Sequence, residues 1–217
     1  MPSTKSKDGD GSEGRSCFIN CPFDADYLPL FHAMVFTLVN CQFRSRCALE
    51  LDNSGDVRIS KIKNIISECR YGVHDISRTE LDAQTKLPRF NMPLELGLFL
   101  GAQHYGGAAH DDKYCLILDR TPHRFQKFIS DISGQDIRAH DDTITGLSRQ
   151  LRNWIKTCLS GVRVPGEIHI EAHYGEFRRE LPRITSEMGL TLERIEYADD
   201  VDIVTIWINT EVRAAKS

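Results

Sequence analysis

From residue 16 onward, apolar runs of strand length alternate with longer segments of helical period. That alternation limits the chain to an α/β fold in which a parallel sheet is covered by helices on both faces. Strands are predicted over 17–20, 43–51, 71–76 and 113–119. The second run sets Phe43, Ser45, Cys47, Leu49 and Leu51 against Arg44, Arg46, Ala48 and Glu50, the period-two pattern of a strand. Helices are predicted from a cap at Asp24 or Asp26 to residue 40, and over 57–69, 93–104, 122–132 and 143–159. A polar loop, 77–90, is longer than most connections in compact α/β domains, and loops of that length are often lids. Past Gly161 the pattern changes to a strand at 167–171, a helix at 174–188 and an amphipathic segment from Asp199, read as helix. The expected organisation is a disordered tail over 1–15, an α/β domain over 16–160 and a small C-terminal α+β appendage over 161–217.

The 217 residues carry 27 Lys+Arg against 31 Asp+Glu, a net charge of −4. This balance argues against nucleic acid or an anionic membrane as the main partner. No apolar stretch approaches the roughly 20 residues that cross a bilayer. Residues 1–15 have no signal-peptide core, so the expectation is a soluble, cytoplasmic protein. The seven cysteines are irregularly spaced without a CxxC pair. They read as reduced core residues, neither disulfides nor metal ligands.

In an open parallel sheet, ligands bind beyond the carboxyl ends of the strands, where loop amides and helix N-termini converge. The residues delivered there are Asn20, Cys21 and Phe23 after the first strand, and Asp75 and Ser77 after the third. Asn91 and Glu95 open the following helix, and Asp119 ends the fourth strand. No Gly-rich dinucleotide fingerprint, Walker loop, nucleophile elbow, HExxH pair or calcium loop is present. Glu95 is the one charge in an otherwise apolar helix, within Asn91-Met92-Pro93-Leu94-Glu95-Leu96-Gly97-Leu98-Phe99-Leu100-Gly101. Gly97 and Gly101 are expected to let that helix approach the sheet closely. A Glu so placed is either a helix cap or a reactive carboxylate. Asp75 either caps a turn or binds a sugar hydroxyl. His74 is expected on the other sheet face as a core histidine. Arg44, Arg46, Arg58 and Arg70 read as solvated or structural, with phosphate binding the alternative for any that faces the crevice.

Two segments carry a resemblance. Phe18-Ile19-Asn20-Cys21-Pro22-Phe23 resembles the strand and turn that open nucleoside 2-deoxyribosyltransferases. Residues 92–101, with Lys113-Tyr114-Cys115-Leu116-Ile117-Leu118-Asp119 after them, are similar to the segment that holds the glutamate nucleophile of that family. The related NAD-cleaving TIR-type domains share a flavodoxin-like architecture and a helix-borne glutamate. The resemblance spans residues 16–160. It implies a flavodoxin-like sheet, with Glu95 acting at an anomeric carbon and Asp75 contacting ribose or base. Asn20, Cys21, Phe23, Ser77, Asn91 and Asp119 would shape the substrate pocket. Cys21 stands where the family carries Gly, and Phe90-Asn91-Met92 replaces the Trp-Cys pair common in TIR domains. The implied activity is cleavage of the N-glycosidic bond of a nucleoside, nucleotide or NAD. It needs neither metal nor cofactor, since NAD would be substrate. A nucleotide sensor without turnover, or a TIR-like interaction module that self-associates into a homo-oligomer, are the competing readings.

Overall fold

The computed structural model describes residues 14–50, 53–81, 85–159, 161–192 and 195–214, with side chains to Glu211. Most of the expected tail, the end of the second predicted strand at Leu51 and the centre of the 77–90 loop therefore lie outside the described residues. Five parallel strands form one sheet: β1 (Ser16–Asn20), β2 (Arg44–Cys47), β3 (Tyr71–Asp75), β4 (Tyr114–Asp119) and β5 (Arg138–Ala139). Their order is β2-β1-β3-β4-β5. This is the flavodoxin-like order, whose reversal point lies between β1 and β3.

The helices are α1 (Leu28–Asn40), α2 (Arg58–Glu68), α3 (Asn91–Tyr105), α4 (Ile144–Cys158), α5 (Glu167–Glu187) and α6 (Tyr197–Ala214). α2 and α3 cover one face of the sheet and α1 and α4 the other. Strand alternation assigns the side chains. Cys17, Ile19, Tyr71 and Val73 enter the large core under α1 and α4, while Phe18 packs with α2 and α3 around Phe99. His74 is stacked edge-on between Phe18 and Phe99, on the face expected of it. All seven cysteines are free thiols, five of them buried.

Several boundaries differ from the sequence reading. The 122–132 segment forms two 3₁₀ turns, Arg124–Lys127 and Ser130–Ile132: His123, with a left-handed φ of 61°, excludes an earlier helical start, and Ile129, at φ −146° and ψ 62°, breaks the helix between the two turns. β5 was not predicted. It has two residues, too few to show a period. The strand expected at 167–171 is instead the first turn of α5, which runs unbroken to Glu187. Among the described residues, then, the segment after Gly161 contributes helices and no strand. Ile170, Tyr174, Phe177 and Leu181 form the spine of α5, and Ile203, Val204 and Trp207 that of α6. Both pack on the outer side of α1. Among the described residues no helix is long and apolar enough to cross a membrane.

The close helix–sheet approach occurs at a glycine other than those expected. A Cβ on Gly97 or Gly101 would meet nothing within 4 Å, whereas one on Gly72 would lie 2.7 Å from His74 Nε2 and from Phe99 Cε2. Phe99 therefore sits directly on the strand backbone. Gly72→Ala should destabilise the fold by about 1–3 kcal/mol through overpacking, while Gly97→Ala should be neutral or stabilising by about 0.5–1 kcal/mol. Urea unfolding of the two variants checks the pair.

Candidate functional site

The carboxyl edge of the sheet gathers the candidate residues but divides them between its two faces. Asp75, the last residue of β3, turns toward α1 and α4 and is wholly buried. Tyr27 Oη donates to its Oδ2 at 2.5 Å, the backbone N–H of Ser77 donates to Oδ1 at 2.8 Å, and His140 Nε2 lies 3.0 Å from Oδ2. Burial alone would raise the Asp75 carboxyl; the contacts with His140, Ser77 and Tyr27 outweigh it and hold the group below its usual value.

Local backbone geometry fixes His140. Asp141 and Asp142 both adopt left-handed φ, 56° and 52°, a conformation Asp tolerates better than most residues. The bend carries the Asp142 N–H back onto His140 Nδ1 at 3.1 Å. Since Nδ1 accepts there, the proton of the neutral ring sits on Nε2, facing Asp75. Thr143 Oγ1 donates to the His140 carbonyl and caps α4 by accepting from Gly146 N. A Cβ at Gly146 would fall 2.2 Å from that carbonyl, so the helix can begin this close only with glycine there. Burial lowers the His140 pKa and Asp75 raises it, with the net direction upward.

Glu95 lies on the opposite face, in the second turn of α3 and on its sheet-facing stripe with Met92, Leu96 and Phe99. The helix starts at Asn91, two residues earlier than predicted, which moves Glu95 beyond capping range. It is 6% exposed and its carboxylate accepts no hydrogen bond among the described residues. Desolvation pushes its pKa up to about 7, against a smaller downward pull from Arg58. Asn20 shares this face. Its amide donates to His74 Nδ1 at 3.0 Å and to the Met92 carbonyl at 2.8 Å, tying β1 to the start of α3. Burial keeps His74 neutral, its pKa lowered to about 3.

Cys21 is buried where β1 ends, and its thiol is pushed well up by burial and by the nearby charges of Asp75 and Glu95. Both acids are thus felt at the reversal point without sharing a face. Phe23 is 39% exposed and Asn91 is exposed at the head of α3. Asp119 Oδ1 receives Arg124 Nε and Arg120 N, each at 2.7 Å. Its pKa is raised by burial despite Arg124. Arg124 also holds the Ile76 carbonyl at 2.6 Å, Thr79 Oγ1 and Glu80. With Arg89 bound to Asp24 at 2.9 Å, the 77–90 loop is anchored at both ends. Buried polar atoms without a hydrogen-bond partner among the described residues include Ser77 Oγ, Arg78 Nε and Asp119 Oδ2, together with His74 Nε2 and with His140 Nε2, whose approach to Asp75 is a charge contact. Native interiors leave few such atoms, and the first three lie where a ligand is expected in this topology.

Beside the site, a hollow of about 460 Å³ opens past the ends of β1 and β2, lined by residues that include Phe23, His32, Arg58, Tyr197 and Asp200. Neither Glu95 nor Asp75 lines it. Among the described residues no group of three or more His, Cys, Asp and Glu side chains is placed to hold a metal ion. Tyr27, His140 and Arg124 were not singled out from the sequence. No motif marks them, since each reaches the site from an element distant in the chain. The molecule is thus a flavodoxin-like α/β protein with two buried acids of opposite character at the reversal point of its sheet. No protein-family model matches the chain, and neither curated proteins nor solved structures return a match.

The raised pKa of Glu95 has a stability consequence. Its folded value, about 7, exceeds its unfolded value, near 4.5, so the folded state binds the proton more tightly and stability falls as pH rises from 4.5 through 7. Glu95→Gln removes this loss. The variant should gain on wild type by about 2–3 kcal/mol between pH 5 and pH 8, read as the change in unfolding free energy at the two pH values. A gain independent of pH would contradict the assignment.

Proposed function

We propose that the protein cleaves the N-glycosidic bond of a nucleoside, nucleotide or NAD, with Glu95 as the catalytic carboxylate. The observation that carries this reading is the Glu95 side chain: buried, without a hydrogen-bond partner among the described residues, and poised near neutrality beside the reversal point of the sheet. A structural carboxylate at such depth is normally paired, and perturbed pKa values concentrate at functional sites.

In the reaction, the C1′–N bond breaks and its electron pair leaves with the base: nicotinamide departs from NAD as a neutral molecule, whereas the base of a nucleoside or nucleotide takes up the proton that the attacking water gives up. Positive charge develops on the sugar ring. The ionised Glu95 stabilises that charge or bonds to C1′, and water then supplies the hydroxyl that completes hydrolysis. Low local polarity strengthens the carboxylate's interaction with the oxocarbenium-like state. Asn20, committed to His74 and Met92, holds α3 in register with β1. Asp75, its oxygens occupied by Tyr27, Ser77 and His140, serves as a positioning residue; a direct ribose contact would require Tyr27 to move.

Purified protein incubated with NAD and a panel of nucleosides and nucleotides should release free base, detected by chromatography. Glu95→Gln should lower the rate on the order of 10²–10³-fold. Because the ionised form is required, the wild-type rate should rise with pH through an apparent pKa near 7. No release from any member of the panel, or equal rates for wild type and variant, would reject the activity.

A further inference from the structure

The hollow at the β1–β2 edge takes no part in that chemistry, and its wall is divided by charge. α2 contributes Arg58, its first residue, and Lys61 one turn later. The helix start has no side-chain cap and no acidic residue in its first turn. The Val57 carbonyl receives Ser60 N and Lys61 N, while the N–H groups of Arg58 and Ile59 find no acceptor among the described residues. The Arg58 guanidinium is exposed and makes no ion pair there either. An uncapped helix N-terminus with an adjoining arginine is a phosphate cradle.

The acidic wall comes from α6. Asp200 is 1% exposed. Its Oδ1 is 2.7 Å from His32 Nδ1, and its Oδ2 is buried with no partner among the described residues. Asp200 is among the residues that line the hollow, and a buried carboxylate oxygen without a donor is rare in native interiors. Phe23, Phe31 and Tyr197 stand on the same wall in edge and tilted contact, with ring centroids 5.4 and 5.8 Å apart. The volume, about 460 Å³, falls in the range of small-molecule sites.

We propose that this hollow binds a small phosphate monoester carrying a flat ring, its phosphate on Arg58 and the α2 N-terminus and a hydroxyl or amino donor on Asp200. Glu95 does not line this hollow, although Arg58, which does, pulls the Glu95 carboxyl down, and the proposal does not rest on the proposed cleavage. α6 completes it, so the C-terminal helices supply a ligand contact as well as packing.

The test is calorimetry with adenosine 5′-monophosphate as probe, run on the full chain carrying Glu95→Gln so that turnover cannot consume it. Saturable binding is expected, with adenosine and inorganic phosphate each weaker by about tenfold or more. Arg58→Ala, an exposed substitution that leaves the core untouched, should weaken the monophosphate by about tenfold while hardly changing adenosine. Asp200→Asn, with its fold checked by circular dichroism, should weaken both nucleoside ligands and leave inorganic phosphate unchanged. Absence of monophosphate binding at millimolar concentration overturns the proposal. So does binding indifferent to both substitutions, which would place the probe elsewhere, and neither of these outcomes bears on base release by wild type.

Discussion

The contacts of the Asp75 carboxylate join three separate parts of the chain at the carboxyl edge. Tyr27 brings the start of α1, His140 the turn between β5 and α4, and Ser77 the first residues beyond β3. Each partner is buried. Removing a partner from such a group leaves an uncompensated charge in a low-dielectric interior, which is far costlier than the net value of any one bond. The arrangement thus fixes where α1 and α4 begin, and with them the floor on which the rest of the edge is laid.

Glu95 shows the reverse economy. It lies at the same edge and is less deeply buried, 6% exposed against 0% for Asp75, yet no donor among the described residues meets it. Two carboxylates near one cysteine are therefore driven apart, Asp75 held ionised and Glu95 raised toward neutrality. Environments that separate the titration of neighbouring acids assign them different work. The paired acid gives rigidity; the unpaired one retains the capacity to act on something that enters. The two lie on opposite faces of the sheet, and the charge that pulls the Glu95 carboxyl down, Arg58, is on α2, which covers the Glu95 face.

The sheet was legible in the sequence because burial on both faces writes itself as short apolar runs: residues 71–75 and 114–119 could hardly be anything but interior strands. Glu95 was legible for the same reason, as a charge where the pattern demands none. The arrangement around Asp75 was not. Its carboxylate was expected to face a ligand beside Glu95, but the side-chain period of a strand sends Asp75 and His74 to opposite faces, and what waits on the Asp75 face comes from residues 27 and 140. Those contacts arise from tertiary packing and carry no local signature. β5 was hidden by its length, and Gly72 by lying in a strand whose contact, Phe99, comes from a helix much later in the chain. Glu167–Glu171 illustrates a genuine ambiguity: a five-residue window suits either period, and the core contacts of Ile170 and Tyr174 with α1 decide for helix.

The C-terminal helices follow from a property of α1. From Leu30 to Leu38 this helix is buried almost without interruption, apolar around its whole circumference, and such a helix requires cover on every side. The sheet and α4 supply one half. α5 and α6 supply the other, with Phe36 at the centre of a ring cluster formed by Tyr174, Phe177 and Trp207. The segment after Gly161 is therefore continuous with the main core, and α1 would present a broad apolar face to water without it. Because the start of α6 also reaches His32 and the hollow beyond β1 and β2, the same packing that shields α1 brings Asp200 to a ligand-sized space. Occupancy of that space would favour the seated position of α6 by its own binding free energy, and the energetic link would run through the His32–Asp200 pair into the first turns of α1, the helix that begins beside Tyr27.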